Sequence, residues 1–283
     1  MRRSSTLTAP VGYGWHDHAC WFHEGRRSWI EALVPFFAEG VERNERLLYV
    51  ADKTEAELAE DLAELSGRDE LLRSGQLALL PSAPVRGVLG GPAVAAQLDS
   101  VRTAADDAVA AGYRCLRLAA ESAQSVRGRE GAHRFVHSEL VMDELVARSP
   151  VLLLCGYDGR LVDPAAAAAM SFVHPIRQRR VFGVETGLYA DADVADAWRL
   201  RGELDLASRE VFGIALDALP VRRELHLYLE ELTFIDVAGV HALADLAKRV
   251  APTRVVLHDP PRALTRILAL SRRDTPKMRL VHA

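Results

Sequence analysis

Between residues 19 and 155, short continuous apolar runs recur between longer amphipathic stretches. The runs fall at 19–22, 47–51, 77–80, 115–120 and 151–155. They lack strict alternation of apolar and polar residues, which suits strands buried on both faces of a parallel sheet. Between them Trp29, Leu33, Phe36, Phe37 and Val41 recur at helical spacing, as do Val94, Leu98, Val101, Ala105 and Val109. Five β/α repeats in one domain are the expectation. Nothing in the chain approaches the ~20 apolar residues that span a bilayer. The first residues carry two arginines with no apolar segment behind them, so a secretory signal is not expected and the cytoplasm is the default location.

The pattern changes after residue 184. Residues 185–193 are small and acidic and contain Gly187, as a linker would. Beyond them residues 198–206 and 225–230 alternate with period 2, as strands with one wet face do. Val240, Leu243, Ala247 and Val250 mark a helix, residues 255–257 a strand, and Leu264, Ile267, Leu268 and Ser271 a last helix. The predicted organisation is a flexible tail at 1–12, a first domain at 13–187, a linker at 188–195 and a small mixed α/β domain at 196–283. With 283 residues the chain has length enough for two cores. Its net charge of −4 gives nucleic acid no general attraction. Cys20, Cys115 and Cys155 are odd in number and far apart, which argues for reduced thiols.

Ligands of open parallel sheets bind at the carboxyl ends of the strands. There the sequence places His23 and Glu24, Asp52, Glu121, and Tyr157 with Asp158. Acids at such positions also cap the following helices, the reading preferred for Asp52; for Glu121 and Asp158 capping and ligand binding stand even. The segment 16–23 holds His16, His18, Cys20 and His23. A zinc or haem reading would take His18 and Cys20 from one strand face and need Cys155 or His174 to complete the set. No paired Cys-x-x-Cys or His-Glu-x-x-His supports it, so a buried Cys beside a hydrogen-bonded His is the simpler expectation. Residues 24–28 have one glycine and no lysine, so tight ATP binding and hydrolysis are not expected. No Gly-x-Ser-x-Gly elbow is present either.

The first domain resembles the MEDS sensory family over about residues 14–180. The carriers are His18-Ala-Cys20, Phe-Phe-Ala-Glu-Gly-Val-Glu-Arg at 36–43, Leu-Leu-Tyr-Val-Ala-Asp at 47–52, Gly-Tyr-Arg-Cys-Leu-Arg at 112–117 with Glu121, then Glu139, Cys-Gly-Tyr-Asp at 155–158, and His174-Pro175. The resemblance implies a RecA-like three-layer core without ATPase residues, used to perceive a small molecule. It puts His18, Cys20, Arg117, Glu121, Tyr157, Asp158 and His174 in the sensing pocket. The second domain resembles STAS domains over residues 196–283, through residues 200–207 and Leu-Thr-Phe-Ile-Asp-Val-Ala-Gly-Val at 232–240. That resemblance implies docking of an anti-sigma factor or related regulatory protein at Asp236, Ala238 and Gly239. Val237 and Ala238 stand where partner-switching members carry hydroxyls, so the usual phosphorylation is not available; Ser208 and Thr233 are the remaining hydroxyls considered. The expected function is non-enzymatic signalling without direct nucleic-acid or membrane binding. The competing expectation is an enzyme or a nucleotide-, metal- or haem-binding switch using the strand-end acids.

Overall fold

The computed structural model describes residues 4–81, 92–122, 126, 128–178, 186–222, 224–271 and 278–282. Residues 87–91, Gly-Val-Leu-Gly-Gly, match no dinucleotide fingerprint and read as a loop in the sequence; they lie outside the described residues. Seven strands form the first sheet: β1 (Ser5–Leu7), β2 (His18–His23), β3 (Arg46–Ala51), β4 (Leu77–Pro81), β5 (Leu116–Ser122), β6 (Val151–Asp158) and β7 (Ile176–Gln178). Their order is β1-β7-β2-β6-β5-β3-β4, and every pairing is parallel. The five apolar runs are the five longer strands. Residues 5–7, expected in the tail, instead form β1 beside β7.

Helices cover both faces, as buried parallel strands require. Helices α1 (Arg26–Glu42), α2 (Glu55–Asp61) and α3 (Arg68–Ser74) lie on one side. There Trp29, Leu33, Phe36 and Phe37 pack with Leu47, Tyr49, Leu152 and Leu154. Helices α4 (Pro92–Ala110), α5 (Gly128–Val146) and α6 (Pro164–Val173) lie on the other. Their core includes Leu116, Leu118, Val136, Leu140, Leu153 and Met170. Val109, expected on the apolar face of its helix, is exposed. Helix α2 starts on a capping box, Thr54 with Glu57, so Thr54 rather than Asp52 caps it. Asp163 caps α6 by accepting from Ala166, with Pro164 in the first turn.

The second sheet holds β8 (Gly187–Ala190), β9 (Ala197–Leu204), β10 (Glu224–Tyr228), β11 (Leu232–Ile235), β12 (Arg254–His258) and β13 (Met278–Val281). It runs β11-β9-β10-β12-β13, and β8 joins β9 antiparallel, which makes the sheet mixed. Residues 188–190, expected in the linker, are thus part of this sheet. Helices α7 (Arg209–Ala218), α8 (Val237–Arg249) and α9 (Arg262–Ser271) complete the unit. The domains share a wall. Phe172 of α6 meets Phe212 of α7 at a ring separation of 6.3 Å, and the His137 ring donates to the Ala218 carbonyl at 2.7 Å. Arg222 reaches Glu144 of α5 at 2.8 Å. One continuous hydrophobic cluster therefore runs from Leu118 and Leu153 to Leu200 and Leu227. No described helix is long and apolar enough to cross a membrane.

Candidate functional site

Strand alternation turns His18 and Cys20 of β2 and Cys155 and Tyr157 of β6 toward α5 and α6. In register, Cys20 pairs with Cys155 and Phe22 with Tyr157, so these side chains share a face. The face meets two acids of α5, Glu139 and Asp143, and His174 at the end of α6. His18 and His174 are fully buried, and Glu139 is 9 % exposed. His18 Nε2 lies 3.3 Å from Glu139 Oε2 and 3.3 Å from Cys155 Sγ. His174 Nε2 faces the same Glu139 Oε2 at 3.4 Å, and Cys155 Sγ lies 3.7 Å from it. Four donor atoms, from His18, Glu139, Cys155 and His174, all fall within 4.8 Å of one another.

Three of the four groups are fixed from behind. Tyr157 donates to the other Glu139 oxygen, Oε1, at 2.6 Å. His18 Nδ1 meets Asp143 Oδ1 at 3.0 Å, and His174 Nδ1 donates to the Met170 carbonyl at 2.7 Å. Burial pushes the Glu139 carboxyl up, but the two imidazoles outweigh it and hold the group well below the usual carboxylate range. Burial pushes the His18 ring down, but Asp143 and Glu139 outweigh it and raise it above the usual imidazole value. His174 is lowered by burial and by the neighbouring His18 ring. Burial raises the Cys155 thiol and the Tyr157 phenol, and the Glu139 charge adds to both shifts.

The single pocket expected from the sequence is divided by the sheet. His18, Cys20, Tyr157 and His174 come together, with Cys20 at the margin, 4.0 Å from Ser171 Oγ and its thiol pushed up to about 12 by burial. Glu121 pairs in register with Gly156, and Tyr157 with Ser122, so Glu121 faces α1 and α2 instead. There it meets Lys53 at 2.5 Å and the Tyr49 hydroxyl at 3.0 Å, while Lys53 also binds Asp61 at 2.7 Å. Arg117 faces the same way, bonded to Glu45 at 2.5 Å and to Glu39 at 3.1 Å, fully buried beneath α1. Its guanidinium is a packing element of that layer. Asp158 is held at the rim by Arg160, whose guanidinium keeps its carboxyl below the usual range. The alpha-carbon of Gly156 is needed bare, because a Cβ there would lie 2.5 Å from the Trp29 ring.

Sequence reasoning missed Glu139 as a site residue and Asp143 altogether. The available signal was two acids, four apart, on the α5 face that also carries Phe135, Val136 and Leu140. At the carboxyl edge of β2 an open cleft of about 1150 Å3 is lined by Trp21, Phe22, His23, Glu24, Arg160 and Gln178, among others. Phe22 connects the two places, since its ring lies 5.5 Å from that of Tyr157.

Residues 17–175, which contain this whole arrangement, match the family described as MEthanogen/methylotroph, DcmR Sensory domain, abbreviated MEDS. The chain belongs to the MEDS family. Residues 189–282 match a second family, described as Mlab, STAS domain. No curated protein matches the chain. A MEDS domain followed by a STAS domain is a regulatory pairing, with the buried quartet inside the first.

The STAS domain places its own candidate surface at the start of α8. Asp236 caps that helix by accepting from Gly239 at 2.7 Å, and Arg209 stands 3.4 Å from its other oxygen. Gly239 is packed so closely that a Cβ would lie 2.8 Å from Ile235. Ala238 is half-buried beside exposed Val237 and Phe234. Of the two hydroxyls considered for modification, Ser208 is buried and donates to the Glu203 carbonyl, and exposed Thr233 donates to the Gly202 carbonyl.

Proposed function

We propose that this MEDS protein is a non-enzymatic cytoplasmic signalling regulator. Its first domain perceives a small molecule, and its STAS domain docks a regulatory protein of the anti-sigma type. The observation that carries this reading is an unbroken series of contacts from cleft to output sheet. Phe22 in the cleft wall touches Tyr157, Tyr157 holds Glu139, Glu139 meets His18, His18 meets Asp143, and Asp143 holds the backbone of β8. A ligand that moved Phe22 would thus bias a packed, polar path ending in the STAS sheet.

The chemistry of the rim supports the non-enzymatic side of the proposal. Glu121 is engaged by Lys53 and Asp158 by Arg160. The position of a phosphate loop holds Glu24, Gly25, Arg26, Arg27 and Ser28 without a lysine. On the output side, exposed Phe234 and Val237 beside the Asp236 cap offer an apolar contact with a polar edge.

Partner capture from the native cell, compared between wild type and Ala238→Asp, tests the docking surface. A regulatory protein held by wild type and lost from the variant is the expected result, because the new carboxylate at the helix start mimics the repulsive charge of phosphorylation. Equal retention of every partner by both proteins overturns the assignment.

A further inference from the structure

We propose that His18, Glu139, Cys155 and His174 form a closed, four-coordinate site for one divalent transition-metal ion, with Zn2+ the best fit. The proposal does not rest on the signalling reading, since an ion can be held here whatever the chain regulates. Its first support is geometric. Bonds of about 2.0–2.3 Å to nitrogen, oxygen and sulfur place the corners of a tetrahedron roughly 3.3–3.7 Å apart. Four of the six donor-atom separations already stand at that spacing: 3.3 Å from His18 Nε2 to Glu139 Oε2, 3.3 Å from His18 Nε2 to Cys155 Sγ, 3.4 Å from His174 Nε2 to Glu139 Oε2 and 3.7 Å from Cys155 Sγ to Glu139 Oε2; all six are within 4.8 Å.

The second support is the outer layer. Zinc-bound imidazoles usually donate their remaining N–H to a carboxylate or a backbone carbonyl. Both arrangements are present, His18 Nδ1 on Asp143 and His174 Nδ1 on the Met170 carbonyl. The carbonyl can only accept, so Nδ1 of His174 carries the proton and its Nε2 presents a lone pair to the quartet when the ring is neutral. Likewise Tyr157 occupies Oε1 of Glu139 and leaves Oε2 as a single ligand atom.

The third support is an unmet need. His174 is fully buried, and its Nε2 has no hydrogen-bond partner. A nitrogen lone pair turned toward a carboxylate oxygen in a dry interior is costly unless a cation stands between them. One thiolate and one carboxylate neutralise a divalent ion, so the loaded site adds no net charge to the core. On binding, Cys155 releases its thiol proton and His18 any proton on Nε2, both to solvent, as the sulfur–metal and nitrogen–metal bonds form, and no oxidation or reduction takes place. All four positions belong to protein, which leaves none for substrate and marks the site as structural or conformational. The ion would tie β2 and β6 to α5 and to the end of α6.

The full chain, stripped of metal and titrated with Co2+, tests this. One equivalent should bind, with the visible bands of four-coordinate cobalt and a near-ultraviolet thiolate-to-cobalt band. Cys155→Ser should abolish the thiolate band, and Cys20→Ser should leave it intact. Absence of binding by wild type, or an unchanged thiolate band in Cys155→Ser, overturns the proposal. X-ray absorption on the zinc-loaded wild type needs no variant: one sulfur among four neighbours is expected, and a shell without sulfur, or with two, refutes the assignment. None of these readouts depends on partner capture, so loss of the regulatory reading leaves them standing.

Discussion

The carboxylate of Asp143 accepts a hydrogen bond from the backbone amide of Ala190 at 2.7 Å, joining α5 of the MEDS domain to β8 of the STAS domain in a buried polar contact. The other oxygen of Asp143 holds the His18 ring at 3.0 Å. Asp143→Ala strands both donors away from water. At about 1–3 kcal/mol for each buried group left unmet, urea unfolding should show a loss of about 2–6 kcal/mol. An unchanged midpoint would mean that the contact contributes nothing.

Arg117 belongs to the α1 layer, where it pairs with Glu45 and, together with Arg43, with Glu39. Replacing it with Met leaves buried Glu45 without its partner, which typically costs about 3–5 kcal/mol. The same variant should hold its STAS partner like wild type once folded. Selective loss of small-molecule response in a fully stable Arg117→Met protein would return this residue to the sensing site.

Burial pushes the Asp61 carboxyl up, yet hydrogen bonds from Lys53 and Arg26 prevail and hold it below the usual range. A carboxyl depressed in the folded state stabilises fully above its unfolded value of about 3.9, and the contribution fades as pH falls through the folded value. The stability advantage of wild type over Asp61→Asn, followed by chemical unfolding across acidic pH, should therefore shrink as pH drops below about 4. An advantage that grows toward acid contradicts the assigned charge state.

Phe234 is 48 % exposed at the strand leading to α8. Phe234→Ser should change stability by no more than about 0.5 kcal/mol, while weakening capture of the partner that Ala238→Asp also loses. Undiminished capture would move the docking surface elsewhere.

The central strands were legible because a strand buried on both faces needs a run of apolar residues, and 47–51 or 151–155 satisfy that without help from context. Strand β1 is three residues, Ser5, Thr6 and Leu7, too short for any period. Strand β8 is hidden because Leu188, Tyr189 and Ala190 sit beside an acidic turn and resemble a connector. For the site, His18, Tyr157 and His174 could be named from strand position and family motif. Grouping Glu121 with Tyr157 failed because register, which a single strand does not reveal, offsets them by one residue and turns them to opposite faces. Glu139 and Asp143 escaped because their purpose appears only when the opposing β2 and β6 side chains are in place.

The apolar cluster that passes from Leu153 through Phe172 and Phe212 to Leu227 has no seam between the domains. Melting either unit strips the other of a wall, exposing Phe172 or Phe212 to water. Such a chain should absorb heat in one calorimetric peak, with the enthalpy from its steepness equal to the enthalpy from its area. Two folds then share one thermodynamic fate, and whatever tightens the sensor also raises the temperature at which the output module survives.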